Sequence, residues 1–358
     1  MKERIRDPFD WRLFCDLAEE HGVFGLAGRA FLDHNEVEIS PEAVESLRSW
    51  RRGHAIFTLH LTVEMFRLFD CFRKSGIEVL VTKGPALSVR CYGDPGLRQY
   101  GDLDLVVRDK DIFRVTELML SLGYEGTVPL SAIRAAKIPG EYNFRQKDSQ
   151  LLVEFHTERT FRYHPLPLPL EHLFQRQTRV AFEGQEIPTL SPEDELILIC
   201  IHGAKHFWER VGYIADVAAF VSRQQLDWAK VKLAAGEVSA ERMLDVALQL
   251  AQCVLSMTFP EDVCARVKSD ASTLKLVAQI DRWLPAAGSA PPAIFERAMF
   301  RLRMRGGGFA GLRYLLRLSF SPTEEDWASG IEGKRPRLLD ALGRPFRLAR
   351  KYGGGGKP

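Results

Sequence analysis

The chain has 358 residues, 46% of them hydrophobic and 27% charged, a balance that excludes intrinsic disorder and suffices for a large buried core. Forty-nine Lys and Arg against 47 Asp and Glu leave a net charge of +2, so no global field demands a polyanionic partner. The longest apolar run, Leu196–Ile201, cannot span a bilayer, Met1–Asp7 lacks the apolar stretch of a secretory signal, and no C-x-x-C pair occurs among the six cysteines, so the expectation is a cytoplasmic globular protein.

Residues 1–75 read as helical. Ser40-Pro41-Glu42 is an N-cap followed by proline at the first helical position and an acid in the first turn, and apolar residues then recur at helical spacing through Ile56, Leu59, Leu61, Met65 and Leu68. Lys74-Ser75-Gly76 breaks the helix, and Ile77–Thr82 is a short β-rich run. Lys83-Gly84-Pro85 turns the chain into a helix, Gly93–Gly96 turns it again, and Leu103–Val107 alternates like a half-buried strand. A helix is predicted over Asp109–Leu122, strands over Tyr142–Gln146 and Leu151–His156, and a hairpin around Phe182–Gln185. From Ser191 the pattern is helical, with stretches near 212–223, 226–235, 239–258, 271–284 and 289–304. From Arg297 onward fourteen Lys/Arg face five Asp/Glu, but Arg301, Arg303, Arg313 and Arg317 interleave with apolar residues as on the wet edge of amphipathic helices. The pattern divides the chain into a helical region 1–75, an α/β core 76–190, a helical domain 191–352 and a flexible tail 353–358: an α+β architecture.

Chemistry concentrates in Arg98–Leu105. In a strand, residues two apart share a face, so Asp102 and Asp104 project side by side, and two ionised carboxylates so placed repel unless a cation sits between them. Hard divalent ions, Mg²⁺ (or Mn²⁺), take such oxygen ligands together with substrate phosphates. The alternative is a solvated strand start whose acids bond turn amides. Glu154 is a lone acid inside Leu151–His156, placed as a third ligand, a general base or the partner of an arginine. The Lys83-Gly84-Pro85 turn offers amides at a helix start and a cation, and Ser88 and Arg98 stand nearby in sequence. His202, Lys205 and His206 share a helix face, which suits a polar cleft wall with Lys205 toward phosphate. A packed helix whose Asp216 pairs with Arg210 or Lys205 suits it equally, and zinc is disfavoured because no H-E-x-x-H order is present.

The runs Thr82–Leu87, Tyr92–Arg98 and Gly101–Val107, with Val153–Thr157, His202–Arg210, Asp216 and the basic Arg344–Leu348, resemble the uncharacterised nucleotidyltransferase family of the polymerase-β-like nucleotidyltransferase superfamily. The resemblance implies a small mixed sheet flanked by N-terminal helices and a helical C-terminal domain, with Asp102, Asp104 and Glu154 as the metal-binding acids. It implies NTP, ATP foremost, as substrate, with an acceptor that is not readable; the placement of Lys83, Gly84, Ser88, Arg98, His202, Lys205 and His206 around the acids offers them as the nucleotide-binding residues. The turn departs from the superfamily pattern, since Gly84-Pro85 stands where Gly-Ser or Gly-Gly is usual, and Pro85 brings no amide donor. Two functions therefore compete: metal-dependent transfer of NMP from NTP, and a catalytically inactive binding module on the same fold. A nucleic-acid-binding role is disfavoured for want of an interleaved aromatic platform. Replacing Asp102 and Asp104 together by Asn is expected to cost little stability, because repulsion is relieved.

Overall fold

The computed structural model describes residues 9–33, 39–134, 140–158, 168–284, 293–305, 311–313 and 316. Three helices open the chain: α1 (Trp11–Glu20), α2 (Phe24–Leu32) and the long α3 (Pro41–Lys74). The Ser40 hydroxyl accepts the Ala43 N–H at 3.2 Å, so α3 begins where its cap and Pro41 predict. Then follow β1 (Leu80–Val81), α4 (Gly84–Tyr92), β2 (Asp102–Val106), α5 (Ile112–Ser121), β3 (Tyr124–Gly126), α6 (Leu130–Arg134), β4 (Glu141–Gln146), β5 (Leu152–His156), α7 (Leu170–Gln175), β6 (Thr178–Phe182) and β7 (Gln185–Thr189). The helical remainder comprises α8 (Pro192–Lys205), α9 (Val211–Arg223), α10 (Trp228–Glu237), α11 (Glu241–Leu255), α12 (Glu261–Ser269), α13 (Ala271–Trp283) and α14 (Ile294–Met304).

The strands form one mixed seven-stranded sheet in the order β3-β4-β5-β2-β1-β7-β6. At its centre β2 runs parallel to β5, with Asp104 opposite Glu154 and Val106 opposite His156, while β1 lies antiparallel to β2 and parallel to β7. Alternation then divides the side chains. Leu103, Leu105, Val153 and Phe155 enter one core with Leu61, Met65, Leu68 and Phe72 of α3 and Val115 and Met119 of α5. Leu80 and Val106 enter the opposite core with Leu196, Ile197 and Cys200 of α8. Asp102, Asp104 and Glu154 stand on that second face, between the sheet and the C-terminal helices.

Several predicted elements differ in extent. Ile77–Thr82 is ladder-paired only at Leu80–Val81, although Ile77 and Val79 are buried, and Thr82 N–H still donates to the Asp104 carbonyl of β2 at 3.2 Å. The helix expected over Asp109–Leu122 begins with a 3₁₀ turn at Asp109–Asp111. Strand β3 and helices α6, α7 and α12 have no counterpart in the sequence reading. Helix α3 serves two cores: its start joins Cys15, Ala18, Phe24 and Ala27, and its end roofs the sheet. Part of the C-terminal positive charge is packed, with the guanidiniums of Arg297 and Arg301 over the Phe207 ring at 5.1 and 4.6 Å. Arg344–Leu348 and the tail 353–358 lie outside the described residues. Among the described residues no helix is long and apolar enough to cross a membrane.

Candidate active site

The parallel pairing of β2 with β5 converts two separate sequence signals into one cluster. Asp104, Glu154 and His156 bring one ligand atom each to within 4.8 Å of one another. Asp104 is 1% exposed, and its Oδ1 accepts two hydrogen bonds, one from Lys83 Nζ and one from His156 Nε2 at 2.7 Å. The Glu154 carboxylate lies 3.8 Å from the same imidazole nitrogen. Asp102 stands two residues before Asp104 on the same face, outside that close triad.

The electrostatics follow from this crowding. Burial pushes the Asp104 carboxyl upward, but the Lys83 charge and the His156 hydrogen bond outweigh it and hold it below the usual carboxylate range. For Asp102 the charges of Lys83, Arg98 and His156, and for Glu154 that of His156, compensate only in part. Burial, then repulsion from Asp104, raises both, and Glu154 reaches about 7. Burial works against the Lys83 ammonium, yet Asp104 and Asp102 keep it above its ordinary value.

The turn before α4 is built around this cluster. Lys83 is the N-cap residue, and Gly84 follows at φ +59°, where a Cβ would approach the Asp102 carbonyl oxygen at 3.2 Å. The backbone of the turn is thereby seated against the acid-bearing strand. Ser88, fully buried, donates its hydroxyl to the Asp94 carbonyl at 2.7 Å and accepts the Arg98 N–H at 3.1 Å, so it shapes the loop entering β2. His54 of α3 donates Nε2–H to the Arg98 carbonyl at 2.8 Å. The Arg98 Nε donates to Asp216 Oδ2 of α9 at 2.7 Å, and Tyr92 Oη donates to Asp216 Oδ1 at 2.8 Å. Asp216 thus pairs with Arg98, and the pairing with Arg210 or Lys205 expected for a packed helix is not found.

His202 and His206 face Tyr213, with ring centroids 5.3 and 5.6 Å from it. Burial, then the charges of Lys83, His206 and Arg98, depresses the His202 imidazole strongly. Burial and Lys205 bring His206 to about 4, so both rings are neutral near pH 7. Lys205 Nζ lies 3.8 Å from Glu141 Oε1 at the start of β4. Among the described residues the possible metal-holding group is Asp104, Glu154 and His156, so the histidine pair on α8 gathers no ligand set of its own.

The sequence reading does not name His156, Asp216, Tyr92 or His54 as site-shaping residues. His156 was accessible to the rule that paired Asp102 with Asp104, since it stands two residues after Glu154 on one strand. The Asp216–Arg98 pair joins residues 118 apart and leaves no local trace. As a binding site the cluster fits a hard divalent cation: its donors are chiefly carboxylate oxygens, and two of the three acids are poorly compensated by the protein's own charges. Asp104, Glu154 and His156 are the residues whose ligand atoms converge there, and Asp102 stands beside them on the same sheet face.

No curated protein matches the chain significantly. Among solved structures, an antigenic nucleotidyltransferase-like protein from Paracoccidioides brasiliensis is similar at 16% identity, covering 61% of this chain and 92% of its own, with a TM-score of 0.35. The profile of the uncharacterised nucleotidyltransferase family matches residues 7–256, which span the sheet, the acid cluster and α8–α11. The chain belongs to that uncharacterised nucleotidyltransferase family.

Proposed function

We propose that the protein is a metal-dependent nucleotidyltransferase that moves NMP from an NTP, ATP foremost, to an acceptor group not yet identified. The observation that carries this reading is the convergence of Asp102, Asp104 and Glu154 on one sheet face, two of them with raised pKa values. A bound Mg²⁺ or Mn²⁺ supplies charge neutralisation on the triphosphate and the departing pyrophosphate. The chain's own residues supply the rest. Glu154, raised to about 7 in the metal-free protein, would be ionised once a cation is held at the acids, and as a carboxylate beside it could take the proton from an acceptor hydroxyl. Arg98 is fixed at its N–H, its carbonyl and its Nε, which pairs with Asp216, so the positive end that favours ionised Asp102 is ordered before binding. His202 and His206, both neutral, offer hydrogen bonds on the α8 wall without adding charge.

The binding-module reading is favoured by one feature, the turn itself. Pro85 presents no N–H at the start of α4, and the Ser88 hydroxyl is engaged inside the fold. The two readings separate on turnover. With Mn²⁺, each NTP and a panel of hydroxyl and phosphate acceptors, the transferase releases pyrophosphate and Glu154→Gln abolishes the release while retaining NTP binding. Metal-dependent NTP binding with no pyrophosphate from any acceptor supports the binding module.

A further inference from the structure

We propose that Lys83 is a built-in placeholder cation: in the free protein its ammonium occupies Asp104, and cation entry at the acids releases it toward the triphosphate, so that the two ligands bind interdependently. This inference rests on the metal-and-nucleotide reading above and concerns the regulation of that site. Asp104 is almost wholly buried, and Lys83 Nζ and His156 Nε2 both bond its Oδ1. A divalent ion seeking Asp104 therefore meets an oxygen already paired with a positive charge, and like charges at one carboxylate exclude each other.

The geometry lets the side chain leave while the backbone stays. Gly84 is packed under the Asp102 carbonyl, and Pro85, Ala86 and Leu87 are buried, so the turn is anchored. Lys83 itself keeps 19% of its side-chain exposure and a four-carbon stem, whereas Asp104 keeps 2%. Lys83 lines a small cavity together with Leu198 and Ile199 of α8, so its side chain already lies against the α8 wall. A triphosphate lodged between the acids and that wall offers the displaced ammonium a new anion.

The consequence is a pair of effects of opposite sign. With Lys83 neutralised, a divalent ion loses its competitor and binds the protein alone more tightly. With Asp104 neutralised, the ammonium is free and metal-free triphosphate binds more tightly. By linkage each ligand promotes the other in the wild type.

The test measures Mn²⁺ binding by electron paramagnetic resonance without nucleotide, and binding of metal-free inorganic triphosphate by calorimetry. Lys83→Met and Lys83→Gln should each bind Mn²⁺ about tenfold more tightly than wild type, equivalent to removing one modest ion pair. Asp104→Asn should bind inorganic triphosphate about tenfold more tightly. The glutamine variant keeps a polar group against Asp104 should the methionine variant fold poorly, and Mn²⁺-induced stabilisation of wild type is read alongside. Unchanged or weaker Mn²⁺ binding in the folded Lys83 variants, with wild type binding Mn²⁺, overturns the placeholder and leaves the metal reading standing. If neither wild type nor the variants bind Mn²⁺ at millimolar concentration, the metal reading itself fails, and the placeholder with it.

Discussion

Asp102 and Asp104 are adjacent in sequence pattern and opposite in electrostatic situation. Asp104 is the anchor of a buried ion pair, with Lys83 and His156 on one oxygen, while at Asp102 burial and repulsion from Asp104 outweigh the nearby positive charges. The expectation that both tolerate Asn therefore divides. Asp102→Asn should leave stability within about 1 kcal/mol of wild type. Asp104→Asn strands a largely buried ammonium and should cost about 3 kcal/mol, both read by urea unfolding at pH 7 without metal. Glu154 gives the pH dependence. Its folded pKa of about 7 exceeds the ordinary 4.5, so the fold favours the protonated form. Stability is then unaffected by this group below pH 4.5 and is lost as pH rises toward 7, by about 3 kcal/mol at full ionisation. Asp104 shifts the other way, and its contribution is lost only in stronger acid, outside this window. Glu154→Gln should flatten the decline between pH 4.5 and 7.5, and saturating Mn²⁺ should oppose it, since protons no longer compete for the ligands as pH rises. A decline of equal depth in Glu154→Gln would assign it to other groups.

At the scale of elements, the site is a meeting of β1–α4, β2 and β5. The i, i+2 rule makes Asp102 and Asp104 legible from the sequence, and a lone acid in an apolar run makes Glu154 conspicuous. What no local pattern shows is register: Asp104 lies opposite Glu154 only because β2 and β5 pair in parallel, 50 residues apart in the chain. The Lys83–Asp104 contact is equally hidden, since it depends on how the β1–α4 turn stacks under β2. That stacking is testable at Gly84. Gly84→Ala should cost about 1–2 kcal/mol, because alanine at positive φ is strained and its methyl presses on the Asp102 carbonyl. It should weaken Mn²⁺ binding beyond its effect on folding, because the displaced segment is the acid strand. The 93–101 loop is held from outside the sheet by His54 and Asp216. Asp216→Asn uncouples the Arg98 guanidinium from its counter-charge and should destabilise the fold by about 3 kcal/mol, whereas Tyr92→Phe, losing one hydrogen bond, should cost about 1 kcal/mol.

Across the whole molecule, the α+β class was readable because capping signals and hydrophobic periodicity are local. The assembly of the elements was not. Helix α3 reads as part of an N-terminal helical region, yet Leu61, Met65, Leu68 and Phe72 complete the core on the side of the sheet away from the acids. The helices from α8 onward cover the acid-bearing face and contribute Asp216 to the loop that carries Arg98. Sheet and helices thus build the site jointly. The most direct measurement is calorimetric binding of a non-hydrolysable ATP analogue to wild type, Asp102→Asn and Glu154→Gln, with and without Mn²⁺. If the acids hold the cation that receives the triphosphate, Mn²⁺ should tighten wild-type binding at least tenfold, about 1.4 kcal/mol, and Asp102→Asn should lose that gain while remaining folded. Binding that is indifferent to Mn²⁺, or a gain that survives unchanged in Asp102→Asn and Glu154→Gln alike, would contradict it.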